Sequence, residues 1–535
     1  MQRGVDLLPI RTFIPRRKLV AITMLLAVLA LACNFPTVVQ RRQELQEQQF
    51  RETLAAEIQQ LTGMAQGLPA NPAGTPQPIA TGESSQPVPS PGGSDPGPVL
   101  EQAPAVYAYT ARSGDTLDAL AARFGVEPEQ IGSAEPLPQE GFLPEGQVLS
   151  IPNVLGEGPY PGVVLPDGEV IYSFTSAGFE IESFVVGAGG FLASYVEEVD
   201  GELLTGAEIV ARVAGELSVN PRLLLAFLEY RSGWVYGQPA NPGDPRNPIG
   251  FYVPGMSGLY DELTFSATQV NIGYYGWRLG TLTQIKFQDD RYARLNPTLN
   301  AGSVAVHQLF ARLYPQSAWF EALYGQEGFT AQYARLFGDP WEQSAQLGAI
   351  FPAGVTQPAL ELPFRPGEPW SFTGGPHRSW NTGTPPGAID FSPVTGQPPC
   401  VDSQAWVAAS APGLVTRSAE NLVVLDLDGD GFEGTGWVLL YLHIADLDRI
   451  SAGTYVEQDA LLGHPSCEGG SATGTHVHMA RKFNGEWLPA DGAILFVLSG
   501  WEVEMGARSY EGFLRKGAEV VAANPGGSSS SVIQR

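Results

Sequence analysis

Positive charge is scarce in this 535-residue chain: 30 Lys and Arg stand against 56 Asp and Glu, a formal net charge of -26. No basic patch offsets that balance, which argues against a nucleic-acid partner and leaves little to attract anionic lipid or anionic wall polymers. Charge of either sign is low at 16%, whereas 63 Gly and 45 Pro speak for many turns and linkers. Cysteine is almost missing. Its 3 copies, Cys33, Cys400 and Cys467, form no Cys-x-x-Cys pair, so a thiolate zinc site is disfavoured. Histidine is nearly as rare, with 6 copies. At about 150 residues per domain, the length suggests three or four domains.

The N-terminus carries Arg16-Arg17-Lys18, then 14 residues, Leu19 to Ala32, without a charge. Such a run matches the core of a secretory signal and falls short of the roughly 20 residues that span a bilayer. Leu29-Ala30-Leu31-Ala32-Cys33 resembles a bacterial lipobox, although Ala30 stands where Leu is commoner. The resemblance implies cleavage before Cys33 and lipidation of its thiol, giving an extracytoplasmic lipoprotein anchored to the cell membrane. The competing reading is an uncleaved anchor running through Val39, which would have to accommodate Asn34 and Pro36. With Cys33 lipidated, Cys400 and Cys467 are left in an oxidising compartment. A Cys400–Cys467 disulfide is the economical pairing and two buried free thiols the alternative.

Residues 1–33 thus read as signal and anchor, and 34–106 as stalk and linker. Val38 to Leu61 has the spacing of a weak amphipathic helix, and 63–104 is dense in Pro, Gly, Ser and Thr, a flexible tether. From 107 to 153 the pattern predicts a βααβ unit. Tyr109-Thr110 opens a strand, Ser113-Gly114-Asp115-Thr116 turns into a helix ended by Gly125, Pro128 starts a second helix, and Gly146-Gln147-Val148-Leu149-Ser150-Ile151-Pro152 returns as a strand. This unit resembles the LysM module, a family that binds N-acetylglucosamine-containing glycans such as peptidoglycan. Glu135 departs from the Asn usual near there.

Residues 160–345 read as a mainly helical domain, with two helices from Ala207 to Trp234 joined at Ser218-Val219-Asn220-Pro221. The stretch from Asn220 to Trp234 resembles the helix of lysozyme-like lytic transglycosylases. Arg231 stands where that family has its acidic residue, and an arginine cannot serve as a general acid. Glu229 lies about 200° round the helix from the required face. A non-catalytic domain is expected, binding glycan or acting as a spacer. His307, within an apolar run, reads as a core histidine.

From 363 to 500 short β-rich runs predict an antiparallel sheet domain, with 501–535 as a terminal strand region and a disordered Gly/Ser-rich tail. Five of the six histidines fall between 377 and 478. His476 and His478 stand one residue apart on an apparent strand, so both imidazoles share a face. His377, Asp390 and His443 sit on or beside other strands. Two His and one carboxylate leave a catalytic zinc an open position, and two further imidazoles remain for proton transfer and oxyanion stabilisation. Ile389-Asp390-Phe391, Tyr441-Leu442-His443 and Gly474-Thr475-His476-Val477-His478 resemble the M23 (lysostaphin-like) zinc metallopeptidases. The resemblance implies His377, Asp390 and His478 as zinc ligands, His443 and His476 as the catalytic pair, and peptide bonds of peptidoglycan stems or cross-bridges as substrate. One spacing departs: the family's first histidine stands four residues before the aspartate, where this chain has Pro386, and His377 lies 13 residues ahead of Asp390. Asp426-Leu427-Asp428-Gly429-Asp430 resembles half of a calcium loop, but Trp437 occupies the place of the closing carboxylate, which leaves an acidic hairpin turn or a calcium site of another kind. His464, shortly before Cys467, reads as a surface residue, with a place lining the cleft as the alternative. The alternatives to a peptidase are a non-catalytic wall-binding scaffold or hydrolase activator, and a lytic transglycosylase.

Overall fold

The computed structural model describes residues 105–156, 161–239, 245–401 and 403–535. Cys33, the stalk helix and nearly all of the tether lie outside them. No helix among the described residues is long and apolar enough to cross a membrane.

The first unit pairs the strands Val106–Thr110 and Val148–Pro152 antiparallel, with Tyr109 opposite Leu149. Thr116 caps the helix Leu117–Phe124 by accepting from the Ala119 N–H, and Gly125 ends it at a left-handed φ of 70°. The expected second helix is a single 3₁₀ turn, Pro128–Gln130. The strand Gly132–Ser133 comes directly after it and pairs with Val148–Pro152, so the chain is drawn back to the sheet before a second helical turn can form.

This unit is fused to the helical and sheet regions, and Leu100–Arg535 forms one body. Ser113 donates to the Phe351 carbonyl at 3.2 Å and accepts from its N–H at 2.9 Å. The buried Arg123 pairs with Asp115 at 2.7 Å and donates to the Trp277 carbonyl at 3.0 Å. Gly114 lies against the Arg278 guanidinium so closely that a Cβ there would sit 2.3 Å from Nη1.

The helical region contains the two expected helices, Gly206–Leu217 and Pro221–Ser232. Ser218 breaks the first at φ 53°, and Asn220 caps the second by accepting from the Arg222 N–H. The long helix Leu259–Arg278 packs along Ala301–Ala311, and a Cβ on Gly273 would stand 2.7 Å from the Ala305 Cα. Glu229 accepts from the N–H groups of Val235 and Tyr236 at 2.8 and 3.1 Å. Arg231 donates to the Ile249 carbonyl at 2.8 Å and to the Tyr314 hydroxyl. Both side chains hold loops. His307 is a core histidine, 2.6 Å from the Tyr324 hydroxyl, and burial holds its pKa down at about 3.

The last region is built on an antiparallel sheet whose strand order is Tyr455–Val456, Gly413–Ala419, Leu422–Asp426, Trp437–Leu442, Val477–Phe483, Ala388–Pro393, Pro369–His377 and Val532–Gln534. Its residues alternate between two cores. Ile389, Phe391, Val423, Leu425, Tyr441, Val477 and Met479 face one. Ala388, Val424, Leu440 and Ala480 face the other, which they share with the helical region.

Two expectations fail at the C-terminal side. A boundary at residue 500 would cut a hairpin, because Leu498 pairs with Trp501 in a four-stranded sheet spanning Val497 to Ala522. The tail is ordered: Val532–Gln534 pairs with Pro369–Ser371, Ile533 is buried, and Arg535 forms ion pairs with Glu361 and Asp459. The Gly/Ser run is only the turn that leads into this strand.

Candidate metal centre

His478 and Asp390 are direct partners across adjacent strands, and Gly374 stands opposite Asp390 on the next. Gly374 is required by proximity, since a Cβ would lie 2.3 Å from Asp390 Oδ2. Between Gly374 and His377 the register slips, so that His377 rather than Pro376 pairs with Ala388. Ala388 shares a face with Asp390 because it lies two residues away. The bulge therefore turns His377 onto the face of Asp390 and His478. The 13-residue gap that looked anomalous is a bulged hairpin.

Three atoms converge there. His377 Nε2 is 3.0 Å from His478 Nδ1, and Asp390 Oδ1 is 3.3 and 3.4 Å from them. The opposite nitrogen of each ring meets a backbone carbonyl, His377 Nδ1 that of Gly375 at 2.9 Å and His478 Nε2 that of Ser379 at 3.0 Å. A carbonyl oxygen only accepts, so those ring nitrogens carry the protons and the two facing nitrogens carry lone pairs. Asp390 Oδ1 is buried without a hydrogen bond. Three lone-pair atoms aimed at one another call for a cation. Bonds of about 2.0–2.1 Å in a tetrahedron place neighbouring ligand atoms roughly 3.4 Å apart, so the set fits zinc. Burial pushes the Asp390 carboxyl up, but the imidazoles of His377, His478 and His476 packed around it carry it well below the usual range.

His443 and His476 form the rim, with ring centroids 4.4 Å apart. His443 Nδ1 donates to the Glu468 carbonyl at 2.8 Å and His476 Nδ1 to that of Gly474 at 2.7 Å, which leaves both Nε2 atoms as acceptors. His476 Nε2 lies 3.9 Å from Asp390 Oδ1. His443 is held at a left-handed φ of 66°, with its carbonyl accepting from both the N–H and the hydroxyl of Ser466. Burial, with His476 and His478 nearby, lowers its pKa to about 3. Cys400 and Cys467 form a disulfide with Cα atoms 5.2 Å apart. It ties the rim together, since Cys467 adjoins Glu468 and the Cys400 N–H donates to Thr475 Oγ1 at 3.1 Å.

Residues 109–152 match the LysM domain, and 163–349 match the N-terminal domain of LasA. Protease LasA of Pseudomonas aeruginosa is 24% identical over 386 residues, covering 68% of this chain and 84% of the relative. The beta-lytic metalloendopeptidase of Achromobacter lyticus is 28% identical over 171 residues, covering 30% of this chain and 41% of its own. These matches support a metallopeptidase that carries a LysM unit. Among solved structures, the M23 metalloprotease pseudoalterin from the deep sea aligns at 22% identity over 31% of this chain and 96% of its own, with a TM-score of 0.27. Such a partial superposition carries no argument.

All five residues singled out in the sequence meet in one place. The middle region is helical as expected, and the model that matches it is the LasA N-terminal domain. His464 differs from expectation: it is buried, 2.7 Å from the Ala405 carbonyl, with its ring tilted against that of Trp406 at 4.0 Å between centroids. Asp426, Asp428 and Asp430 lie together at the far end of the sheet's central strands. Tyr510 escaped the sequence reading. Its ring stacks on His377 with centroids 4.1 Å apart, and its backbone clamps Gly375 and Pro376. Nothing in its local sequence marks it, because the contact is made by a hairpin more than a hundred residues downstream.

Proposed function

We propose that this protein is an extracytoplasmic zinc endopeptidase that hydrolyses peptide bonds in peptidoglycan stems or cross-bridges. The observation that carries the reading is the convergence of three lone-pair atoms, 3.0–3.4 Å apart, beside a second pair of imidazoles with inward-facing acceptors. His377, Asp390 and His478 would hold the metal. When bound, zinc supplies Lewis acidity to a carbonyl and lowers the pKa of water. Of the rim pair, one neutral imidazole takes the proton from the attacking water. That imidazole then returns the same proton to the leaving amine, while the other, where it carries a solvent-derived proton on Nε2, donates a hydrogen bond to the developing oxyanion. The LysM module supports peptidoglycan as the polymer that brings enzyme and substrate together, and the lipid anchor at Cys33 would keep the enzyme at the cell membrane.

Glycan cleavage is disfavoured by the same geometry, since Glu229 and Arg231 are both spent on loop carbonyls, amides and a hydroxyl. The test is purified peptidoglycan. New amino groups should appear, and should vanish with a chelator and in His478→Ala. New reducing or anhydro-sugar ends with an unchanged peptide pattern would overturn the proposal.

A further inference from the structure

The turn between Leu422–Asp426 and Trp437–Leu442 carries a second constellation with no role in the peptidase chemistry. Asp426 closes its strand and is fully buried. Its Oδ2 accepts from the Gly431 N–H at 2.8 Å, while Oδ1 is buried and accepts no hydrogen bond. Asp428 and Asp430 complete a group in which three carboxylate oxygens lie within 4.8 Å of one another. No Lys or Arg among the described residues pairs with any of the three. The two nearby cations, Arg417 and Lys482, are committed to Glu433 at 2.5 and 3.2 Å.

Three carboxylates this close repel one another, and either a shared proton or a cation between them relieves that repulsion. An all-oxygen set suits a hard ion, and imidazole and thiolate are both absent from it. Calcium takes 6–8 oxygens in flexible geometry, so three carboxylates leave room for backbone carbonyls and water, whereas magnesium demands a near-ideal octahedron.

We propose that Asp426, Asp428 and Asp430 bind a calcium ion, and that the ion fixes this loop against the helical region. The path is short. Asp430 Oδ1 accepts from the Phe432 N–H at 2.7 Å and its Oδ2 from the Thr435 hydroxyl at 2.7 Å. Phe432 meets the Tyr172 ring edge-on with centroids 5.1 Å apart. Gly434 runs so close to that segment that a Cβ would sit 2.7 Å from the Tyr172 carbonyl oxygen. An ion that fixes Asp430 therefore fixes a residue that packs the sheet against the helical region.

Terbium luminescence and calorimetry on the zinc-loaded full-length chain test this, with the Tyr455 ring, which lies against Gly429, placed to sensitise a bound lanthanide. One calcium site is expected, with a dissociation constant of about 10⁻⁴–10⁻³ M, the range of extracellular modules. Calcium should displace terbium and raise the melting temperature, and magnesium should do neither. The double variant Asp428→Asn, Asp430→Asn, altered only at exposed positions, should lose the signal while keeping its circular dichroism. Phe432→Ala should keep the ion and lose the calcium-dependent rise in melting temperature. No signal in the native chain, an unchanged signal in the double variant, or an equal response to magnesium overturns the site. A full calcium-dependent rise in Phe432→Ala overturns the latch.

Discussion

The two faces of the strand Val477–Phe483 carry opposite burdens. Val477 and Met479 point into an aliphatic and aromatic core, whereas His478 and Lys482, on the other side, meet carboxylates. The chemistry sits on the face that the helical region covers further along. The difference teaches that period-2 alternation here sorts function from stability residue by residue. A core on one side anchors the backbone, which lets the other side hold polar groups in unfavourable proximity.

Substitutions at neighbouring positions can break this contrast. His478→Ala should cost peptidase activity more than about 100-fold, beyond the 10–100-fold typical of partners that only orient a ligand, with the fold retained by circular dichroism. Next door, Met479→Ala should do the reverse. It should destabilise by about 2–5 kcal/mol in denaturant melts while activity per folded molecule stays near native. Gly374→Ala sharpens the contrast, because it adds one methyl group against Asp390. Zinc affinity should fall roughly 10–100-fold by competition with a chromophoric chelator, with stability little changed; equal affinity would mean that Asp390 does not need that space.

The smallest effect concerns pH. Burial pushes the Glu433 carboxyl up, but Arg417 and Lys482 outweigh it and hold the pKa at about 2, below its ordinary 4.5. A depressed acid stabilises the folded state fully above its unfolded pKa and loses that contribution as pH falls towards the folded value. Stability should therefore decline between pH 4.5 and 2 by an amount of order 2–3 kcal/mol, and Glu433→Gln should flatten that slope in urea midpoints.

The histidine set was legible because histidine is so rare here that five copies in a hundred residues stand out, and because i, i+2 spacing on a strand fixes a shared face. The order of a small strand–helix–strand unit, then helices, then sheet was legible from periodicity and turn signals, and the LysM reading came from resemblance. The bulge that delivers His377 was not, since register is set by pairing with Ala388 and Asp390, which no local pattern reveals. Composition misled at the tail, where Gly and Ser outweighed the Val532-Ile533 pair that fills a sheet edge. His464 was misread for a related reason: its burial is decided by Trp406, far away in sequence. Tyr510 and the carbonyls of Gly375, Ser379 and Glu468 are tertiary facts, and the residues that carry them have no distinctive chemistry of their own.

Arg278 has a mechanical consequence. Its buried guanidinium donates to the Ser113 carbonyl at 2.7 Å, to Asp167 at 3.0 Å and to Glu486 at 3.2 Å, and so joins the first unit, the helices and the sheet at one point. No swivel is left between the LysM unit and the histidine strand. A polymer gripped at one end of this body would meet the other at a single fixed offset, as a workpiece meets a blade set on a rigid fence.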